Sequence, residues 1–389
     1  MKKTTLPPMI NHCFLMLSEQ CNLRCKYCYI QGRDNPYTID ISVMEKIKKM
    51  FTCYNKPRII FFGGEPLLRV NLIKEIVKKY KDDFQYQVVT NGTVNFNEFM
   101  DEVYQPFNHI FDVQISWDGN IDTRKSVTNK ITNNIVYDNI ITQLKKGYRL
   151  EGRCVLDETS VKNFFETYKI FKDLHHTYKF SGDFTIAHQP QFKESYWNDL
   201  EVQLNLIFSD IKNNLVNDNK IYIPRFLYKN ITNVIENKPV ISCDVGNYVV
   251  IRPNGDIYPC TILSQIDERF KMGNINDEID TEIIDDLKYK SSCKKECKYK
   301  SICDGGCRYE RIKNFSNSWK ENICPFTCEI YKVIYECTNK FLNSLDADQQ
   351  NKLYELITQY NLWSIDYCNG SSKLNKDCLL YTSPSPRDA

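Results

Sequence analysis

The sequence predicts an α/β fold: a partial, TIM-like barrel of six β/α units, followed by a small cysteine-rich domain with a β-hairpin and helices. Three observations lead there. Short apolar runs alternate with segments of helical periodicity through the first half, the pattern of strand–helix–strand crossovers. A cysteine triplet falls directly after the first run. From about residue 240 the cysteines crowd together and the alternation stops.

Taken in order, the candidate strands cover residues 12–17, 58–62, 85–90, 110–116, 150–156 and 183–187. The helical segments between them cover 42–54, 67–80, 96–104, 135–146 and 161–175, and a further helix, 196–215, leads out of the sheet. The stretch "YVVIRPNGDIYPC" reads as a hairpin around a Pro-Asn-Gly-Asp turn. Two helical stretches, 329–345 and 348–362, follow Cys328. The expected division is a barrel over 1–190, a helical linker over 191–239, the cysteine-rich domain over 240–345 and a helical segment over 346–377. Residues 378–389, "CLLYTSPSPRDA", resemble the in-frame translation of a sequencing adapter and are expected to be a non-native tail.

Composition narrows the function classes. At 42% hydrophobic and 26% charged, the 389 residues make an ordinary globular chain, long enough for more than one domain. A formal charge of +2 offers no field for nucleic acid or an anionic membrane, so neither is expected as a partner. Two prolines, an Asn and a His interrupt the first apolar run, which makes a poor signal peptide, and no stretch approaches a membrane span. A cytoplasmic location is expected. In that reducing compartment 17 cysteines, an odd number, point to metal or cluster ligation rather than disulfides.

The triplet is "CNLRCKYCY", with Cys21, Cys25 and Cys28 in C-x3-C-x2-C spacing. It lies at the C-terminal end of the first strand, where α/β barrels carry their chemistry. Three thiolates suit a four-iron cubane with one iron left open, whereas structural clusters and structural zinc take four ligands. A zinc site completed by a distant residue is the other reading. Polar motifs then close the following strands: "FFGGEP" at 61–66, "TNG" at 90–92 and "SWDG" at 116–119, with Arg153 on the fifth strand.

With these motifs the chain resembles the radical SAM enzymes over about residues 13–345. The resemblance implies that Cys21, Cys25 and Cys28 bind a 4Fe–4S cluster whose open iron chelates S-adenosylmethionine through its amino and carboxylate groups. It assigns Gly63, Gly64, Glu65 and Pro66 to the methionine ammonium. Glycines let backbone carbonyls approach closely, and Glu65 supplies negative charge to a cation. It also assigns Ser116 and Asp118 to the ribose and methionyl part, with Asn91 nearby, Arg153 to the carboxylate, and the backbone of Tyr27 to adenine.

The second group of cysteines runs Cys243-x11-Gly255-x4-Cys260, then Cys293-x3-Cys297-x5-Cys303-x3-Cys307, then Cys324. It resembles the SPASM extension, departing from it in the Cys293–Cys297 gap, which is longer by one residue. The resemblance implies two auxiliary 4Fe–4S clusters, the first held by Cys243, Cys260 and Cys307 and the second by Cys293, Cys297, Cys303 and Cys324. Residues 236–242 contain no cysteine, so the first cluster is closed by Cys328 or keeps an open iron for a substrate thiolate. A pair of zinc-ribbon-like sites is the alternative. Cys13, Cys53, Cys154, Cys337 and Cys368 read as core or surface residues.

SPASM proteins mostly modify ribosomally made peptides or proteins, so the resemblance implies a maturase with a peptide or protein substrate and an electron donor such as flavodoxin or ferredoxin. Thioether or carbon–carbon crosslinking is the leading expectation. Sulfatase maturases, which form formylglycine from Cys or Ser, share the texture of "NGDIYPC" and "FKMGNI". In them an Asp follows the hairpin's second Cys and takes a proton; here that position is Thr261, which cannot act as a base near neutral pH. Formylglycine formation is therefore the second reading, and a non-catalytic iron–sulfur or zinc-binding protein the third. About a dozen residues precede the first strand, so leader recognition is expected from a separate protein, from the SPASM region or from a C-terminal part.

Overall fold

The structure, a computed structural model, describes residues 2–3, 5–188, 192–216, 221–238, 243–288, 297, 299–300, 303, 305–323 and 325–371. Six parallel strands stand side by side in chain order: β1 (His12–Ser18), β2 (Arg58–Gly63), β3 (Gln85–Thr90), β4 (Phe111–Ser116), β5 (Glu151–Leu156) and β6 (Ser181–Ile186). Parallel neighbours need crossovers, and helices α1 (Val43–Met50), α2 (Val70–Tyr80), α3 (Asn133–Lys145) and α4 (Phe164–Tyr178) supply four of them. The crossover after β3 is expected as one regular helix. It instead runs from Phe96–Phe99 through a π-helical turn, Met100–Tyr104, to Gln105–Phe107. Pro106, with no N–H to donate to the preceding turn, follows the widened segment.

Alternation along the strands gives the sheet two unlike faces. On one, Phe61, Tyr86 and Phe111 stack across β2, β3 and β4 with centroids 5.5 and 5.7 Å apart, beneath the helices. Burying each such ring contributes about 2–3 kcal/mol. The other face is half-buried and polar, carrying the Arg58–Asp112 pair at 3.3 Å and the Arg153–Asp183 pair at 2.6 Å. This face is the concave lumen.

The cysteine-rich part continues the same sheet. Strand β7 (Tyr248–Ile251) pairs parallel to β1, from His12 opposite Tyr248 to Leu15 opposite Ile251. Strands β8 (Asp256–Tyr258) and β9 (Gly273–Asn274) follow antiparallel, so nine strands run β9-β8-β7-β1-β2-β3-β4-β5-β6. The hairpin turn places Gly255 at φ +85°, a conformation that disfavours side chains.

Helices α5 (Glu194–Val216), α6 (Arg225–Ile235), α7 (Arg308–Phe315), α8 (Pro325–Asn343) and α9 (Ala347–Ser371) pack outside the sheet. Helix α8 lies along α5, with Phe208 stacked on Phe341 at 4.7 Å and Phe326 on Phe192 at 5.2 Å. No helix among the described residues is long and apolar enough to cross a membrane. Pro190, Cys293, Cys324 and the adapter-like tail lie outside the described residues.

Candidate metal centre and active site

Strand β1 delivers its chain at Ser18 into the loop that carries the triplet. The loop closes on itself: Cys21 N donates to the Arg33 carbonyl at 2.9 Å and Cys28 N to that of Cys25 at 3.2 Å. All three thiols are unpaired and half-buried. Burial pushes the Cys21 thiol up to about 12, with Cys25 and Cys28 close enough to add to the effect. Three soft sulfur donors converging on one loop are the donor set an iron–sulfur cluster takes.

The glycine pair makes room for this loop. Gly63 has φ +127°, and a Cβ there would meet the Ser18 carbonyl oxygen at 2.2 Å. A Cβ on Gly64 would meet that of Gln20 at 2.1 Å. The bare backbone lets Gly64 N donate to Ser18 O at 2.9 Å and Glu65 N to Gln20 O at 2.8 Å, joining the cysteine loop to the end of β2.

Glu65 is 1% exposed and accepts from Leu67 N at 3.0 Å, Thr90 Oγ1 at 2.6 Å and Asn91 N at 2.7 Å. It thereby caps the short 3-10 helix that Pro66 opens and joins the ends of β2 and β3. Burial outweighs these donors and lifts its carboxyl to about 7. Three donors leave a carboxylate room for one more, so it can still take a cation. Asn91 donates to Asn22 Oδ1 at 2.9 Å, between the first two cysteines, and its Nδ2 stands 4.0 Å from Cys21 Sγ.

Ser116 ends β4 half-buried, opposite Arg153 in the sheet register. Asp118, two residues on, is wholly buried and its acceptor capacity is filled by the protein. It accepts from the Tyr27 hydroxyl, from Thr123 Oγ1 at 2.7 Å, from Arg124 Nε and Nη2 at 2.9 and 3.3 Å, and from Val155 N at 2.9 Å. The Arg124 guanidinium also lies over the Tyr27 ring, 5.4 Å from its centroid. As placed, Asp118 anchors the cysteine loop through Tyr27. Arg153 projects into the lumen in its pair with Asp183.

In the second group, Cys243, Cys260 and Cys307 are brought together from three segments. Their thiols are pushed up to about 11, 12 and 12, each chiefly by burial; Cys307 raises the other two, and Cys243 also raises Cys260. Cys297 is exposed and Cys303 half-buried, and Cys328 is exposed on α8.

Two side-chain links that no motif announces hold the centres together. Glu19 accepts from Arg252 Nη2 and Gln265 Nε2, both at 2.9 Å, tying the cysteine loop to the hairpin. Thr261 lies beside the Tyr29 hydroxyl, next to Cys28. A cavity of about 520 Å³, lined by Cys28, Tyr29 and Tyr309, and another of about 410 Å³, lined by Arg153, Asp183 and Cys307, open on either side of His188. Sequence reasoning missed Glu19, Arg124, His188 and Glu310, since a lone charged residue between motifs carries no spacing signal.

Comparison with known proteins agrees with this geometry. Residues 15–152 match the radical SAM superfamily, and residues 243–308 match SPASM, an iron–sulfur cluster-binding domain. The radical SAM cyclopropyl synthase TigE of Paramaledivibacter caminithermalis is 32% identical over 123 residues, 25% of this chain and 26% of that protein. The uncharacterized protein MJ0907 of Methanocaldococcus jannaschii is 34% identical over 90 residues, 22% of this chain and 32% of that one. The chain thus matches about a third or less of these curated relatives' length. In fold it is similar to the anaerobic sulfatase maturase anSMEcpe, solved with AdoMet and a Cp18Cys peptide, at TM-score 0.68 and 21% identity, covering 85% of this chain and 98% of that one. It is similar also to Streptococcus suis SuiB bound to its precursor peptide SuiA, at TM-score 0.56 and 14% identity, covering 83% and 76%. The chain belongs to the radical SAM superfamily and carries a SPASM domain, the two modules that bind S-adenosylmethionine and 4Fe–4S clusters.

Proposed function

We propose that this protein is a peptide or protein maturase that forms thioether or carbon–carbon crosslinks, beginning each turnover by reductive cleavage of S-adenosylmethionine. Cys21, Cys25 and Cys28 would hold the reducing cluster and leave one iron for the cofactor's methionyl end. Glu65 would meet the ammonium from a desolvated position, where a charge-assisted contact is strong. Arg153 would take the carboxylate, Ser116 the ribose, and the Tyr27 backbone the adenine, with Asn91 steadying the loop. Cys243, Cys260 and Cys307 would hold the first auxiliary cluster, and Cys297 and Cys303, with Cys293 and Cys324, the second. The bound cofactor supplies a carbon radical; the chain's task is to position the substrate C–H bond and exclude water.

The observation that carries crosslinking over formylglycine formation is Thr261. It occupies the position after Cys260 and lies beside Tyr29, so no carboxylate stands there to take a substrate proton. Peptide substrates are supported by two proteins of similar fold, anSMEcpe with a bound peptide and SuiB with its precursor. Formylglycine formation draws support from the fold, since the likeness to the sulfatase maturase is the fuller of the two.

The deciding experiment gives reconstituted protein S-adenosylmethionine, dithionite and a Cys-containing peptide. A product lighter by two hydrogen atoms and resistant to thiol alkylation supports crosslinking. Replacement of the thiol by an aldehyde would establish formylglycine instead.

A further inference from the structure

Helix α7 opens on Cys307, its N-cap, and carries Glu310 in its first turn. A glutamate at that position ordinarily turns back to bond the N-cap backbone N–H. Glu310 does not. It is 0% exposed, and among the described residues it is the one whose two carboxylate oxygens are both buried without a hydrogen-bond donor. The His188 ring, 3.7 Å away, stands beyond hydrogen-bond reach. Buried carboxylates are paired or coordinate a metal, and the position of this one points to the second.

The thiols of Cys243, Cys260 and Cys307 converge on the same place. Burial, and after it the charge of Glu310, push the Cys307 thiol up to about 12, so the carboxylate lies within electrostatic reach of that sulfur. His188, against which the carboxylate rests, lines the 410 Å³ cavity together with Cys307. The other side chains near these thiols are poorer candidates for a buried fourth donor. Asp244, next to Cys243, and Cys328 on α8 are both exposed, and Thr261 carries no charge. The donors stand farther apart than a single ion would draw them, since among the described residues no three such side chains meet closely enough to hold one.

We propose that Glu310 is the fourth protein ligand of the auxiliary cubane on Cys243, Cys260 and Cys307 in the substrate-free protein. The inference rests on the reading that these three cysteines hold a cluster. One Fe–O bond forms, the carboxylate entering ionised, and no electron moves. The iron then offsets a charge that is otherwise buried without a donor. Thiolate suits iron–sulfur sites better than carboxylate, so Glu310 holds the position without barring a substrate sulfur from it.

The test reads iron and spectra rather than turnover. The full chain with Cys21, Cys25 and Cys28 replaced by Ala is reconstituted, so that the iron counted belongs to the second cysteine group. Mild oxidation with ferricyanide strips an iron that lacks a protein ligand and leaves a three-iron cluster with its own EPR signal. With Glu310 present the iron content should hold. Glu310→Gln and Glu310→Ala should each lose about one iron per chain and show that signal, and Glu310→Cys should hold its iron. A second measurement needs no folded variant of the triplet. Chain made with glutamate carrying 13C at its carboxyl is reduced, and the auxiliary cluster should show a 13C hyperfine coupling that Glu310→Gln lacks. Equal iron loss with and without Glu310, or the same couplings in both chains, overturns the proposal while leaving the cluster in place. A second cysteine group that takes up no iron overturns the cluster reading, and this one with it.

Discussion

Glu310 Oε1 lies 3.7 Å from His188 Nδ1, at the partition between the two cavities. Glu310 is wholly buried, and among the described residues neither of its carboxylate oxygens accepts a hydrogen bond. Burying a carboxyl group without donors is costly, so removing the polar ring beside it adds to that cost. His188→Ala should therefore destabilise the protein by about 1–3 kcal/mol, and Glu310→Gln in that background should recover part of the loss. Urea unfolding of the two single variants and the double closes the cycle. Strict additivity would show that the two side chains do not sense each other.

His12 sits on β1 against Tyr248, with centroids 5.4 Å apart, so it staples the barrel to the SPASM hairpin. Burial, helped by Arg58, depresses its pKa to about 4. Because the folded value is lower than the unfolded one, the unfolded chain binds the extra proton between about pH 6.5 and pH 4. The contribution is fully present above that window and is lost as pH falls through it. It amounts to roughly 1–3 kcal/mol, reduced because the ring is not completely covered. His12→Phe keeps the stack and should flatten the acid side of the stability profile. A thermal-melt profile unchanged by the substitution would remove His12 from the account.

For Glu65 the sign is opposite. Its carboxyl is raised to about 7, so between the ordinary carboxylate range and that value the folded protein holds a proton the unfolded chain lacks, and stability falls as pH rises. A cation that binds the ionised form must displace this proton. S-Adenosylmethionine affinity should therefore climb from about pH 5.5 to about pH 7 and then level. Glu65→Gln should bind about tenfold or more weakly, with a flat profile. Equilibrium dialysis on reconstituted protein measures both. A flat wild-type profile would place the ammonium elsewhere.

Much of this was legible in the sequence, for stated physical reasons. All six barrel strands appear as apolar runs, and their ends carry the polar motifs, because a parallel sheet is covered on one face and does its chemistry at one edge. The pairing of β7 with β1 was not legible, since register between segments more than two hundred residues apart leaves no local trace. Helix α7 begins after Cys307, in a stretch where the cysteine pattern and charged residues mask the apolar period, whereas α6, after Pro224, buries Leu227, Tyr228 and Ile231 on one face. Asp118 is expected from the sequence as a cofactor residue, and in the fold its carboxylate is engaged by Tyr27, Thr123, Arg124 and Val155. Its partner Arg124 belongs to no motif, and only the folded loop brings guanidinium, Tyr27 and carboxylate together.

That anchor yields a prediction of its own. Arg124 is 6% exposed and Asp118 0%, so removing the guanidinium strands a buried negative charge. Arg124→Ala should cost about 3–5 kcal/mol, and Arg124→Lys should rescue it poorly because an ammonium cannot reproduce the two-nitrogen contact. Since Tyr27 lies between Cys25 and Cys28, the variant should also lose about four irons on reconstitution, those of one cubane. Asp118→Asn added to Arg124→Ala should restore stability more than it restores iron. If iron content holds while the melt drops, the anchor supports the fold without shaping the triplet.

The last prediction concerns the auxiliary centre of Cys243, Cys260 and Cys307. Three converging thiols leave one iron of a cubane without a protein ligand from this group. A substrate thiolate bound there would have its pKa lowered by the metal, and its sulfur would be held near the radical-bearing carbon, as a crosslinking reaction needs. The competing arrangement has Cys328, exposed on α8, close the site and confine the cluster to electron transfer. The two differ in what Cys328→Ala does. If the site is open, the variant keeps its full iron content and its activity, and a Cys-containing peptide shifts the EPR signal of the reduced auxiliary cluster in the wild type. A Ser-for-Cys version of the same peptide should leave that signal in place, which separates ligation by sulfur from mere proximity. If the variant instead loses about four irons and no thiol perturbs the wild-type spectrum, Cys328 is the fourth ligand. Crosslinking would then have to proceed without capture of the substrate sulfur.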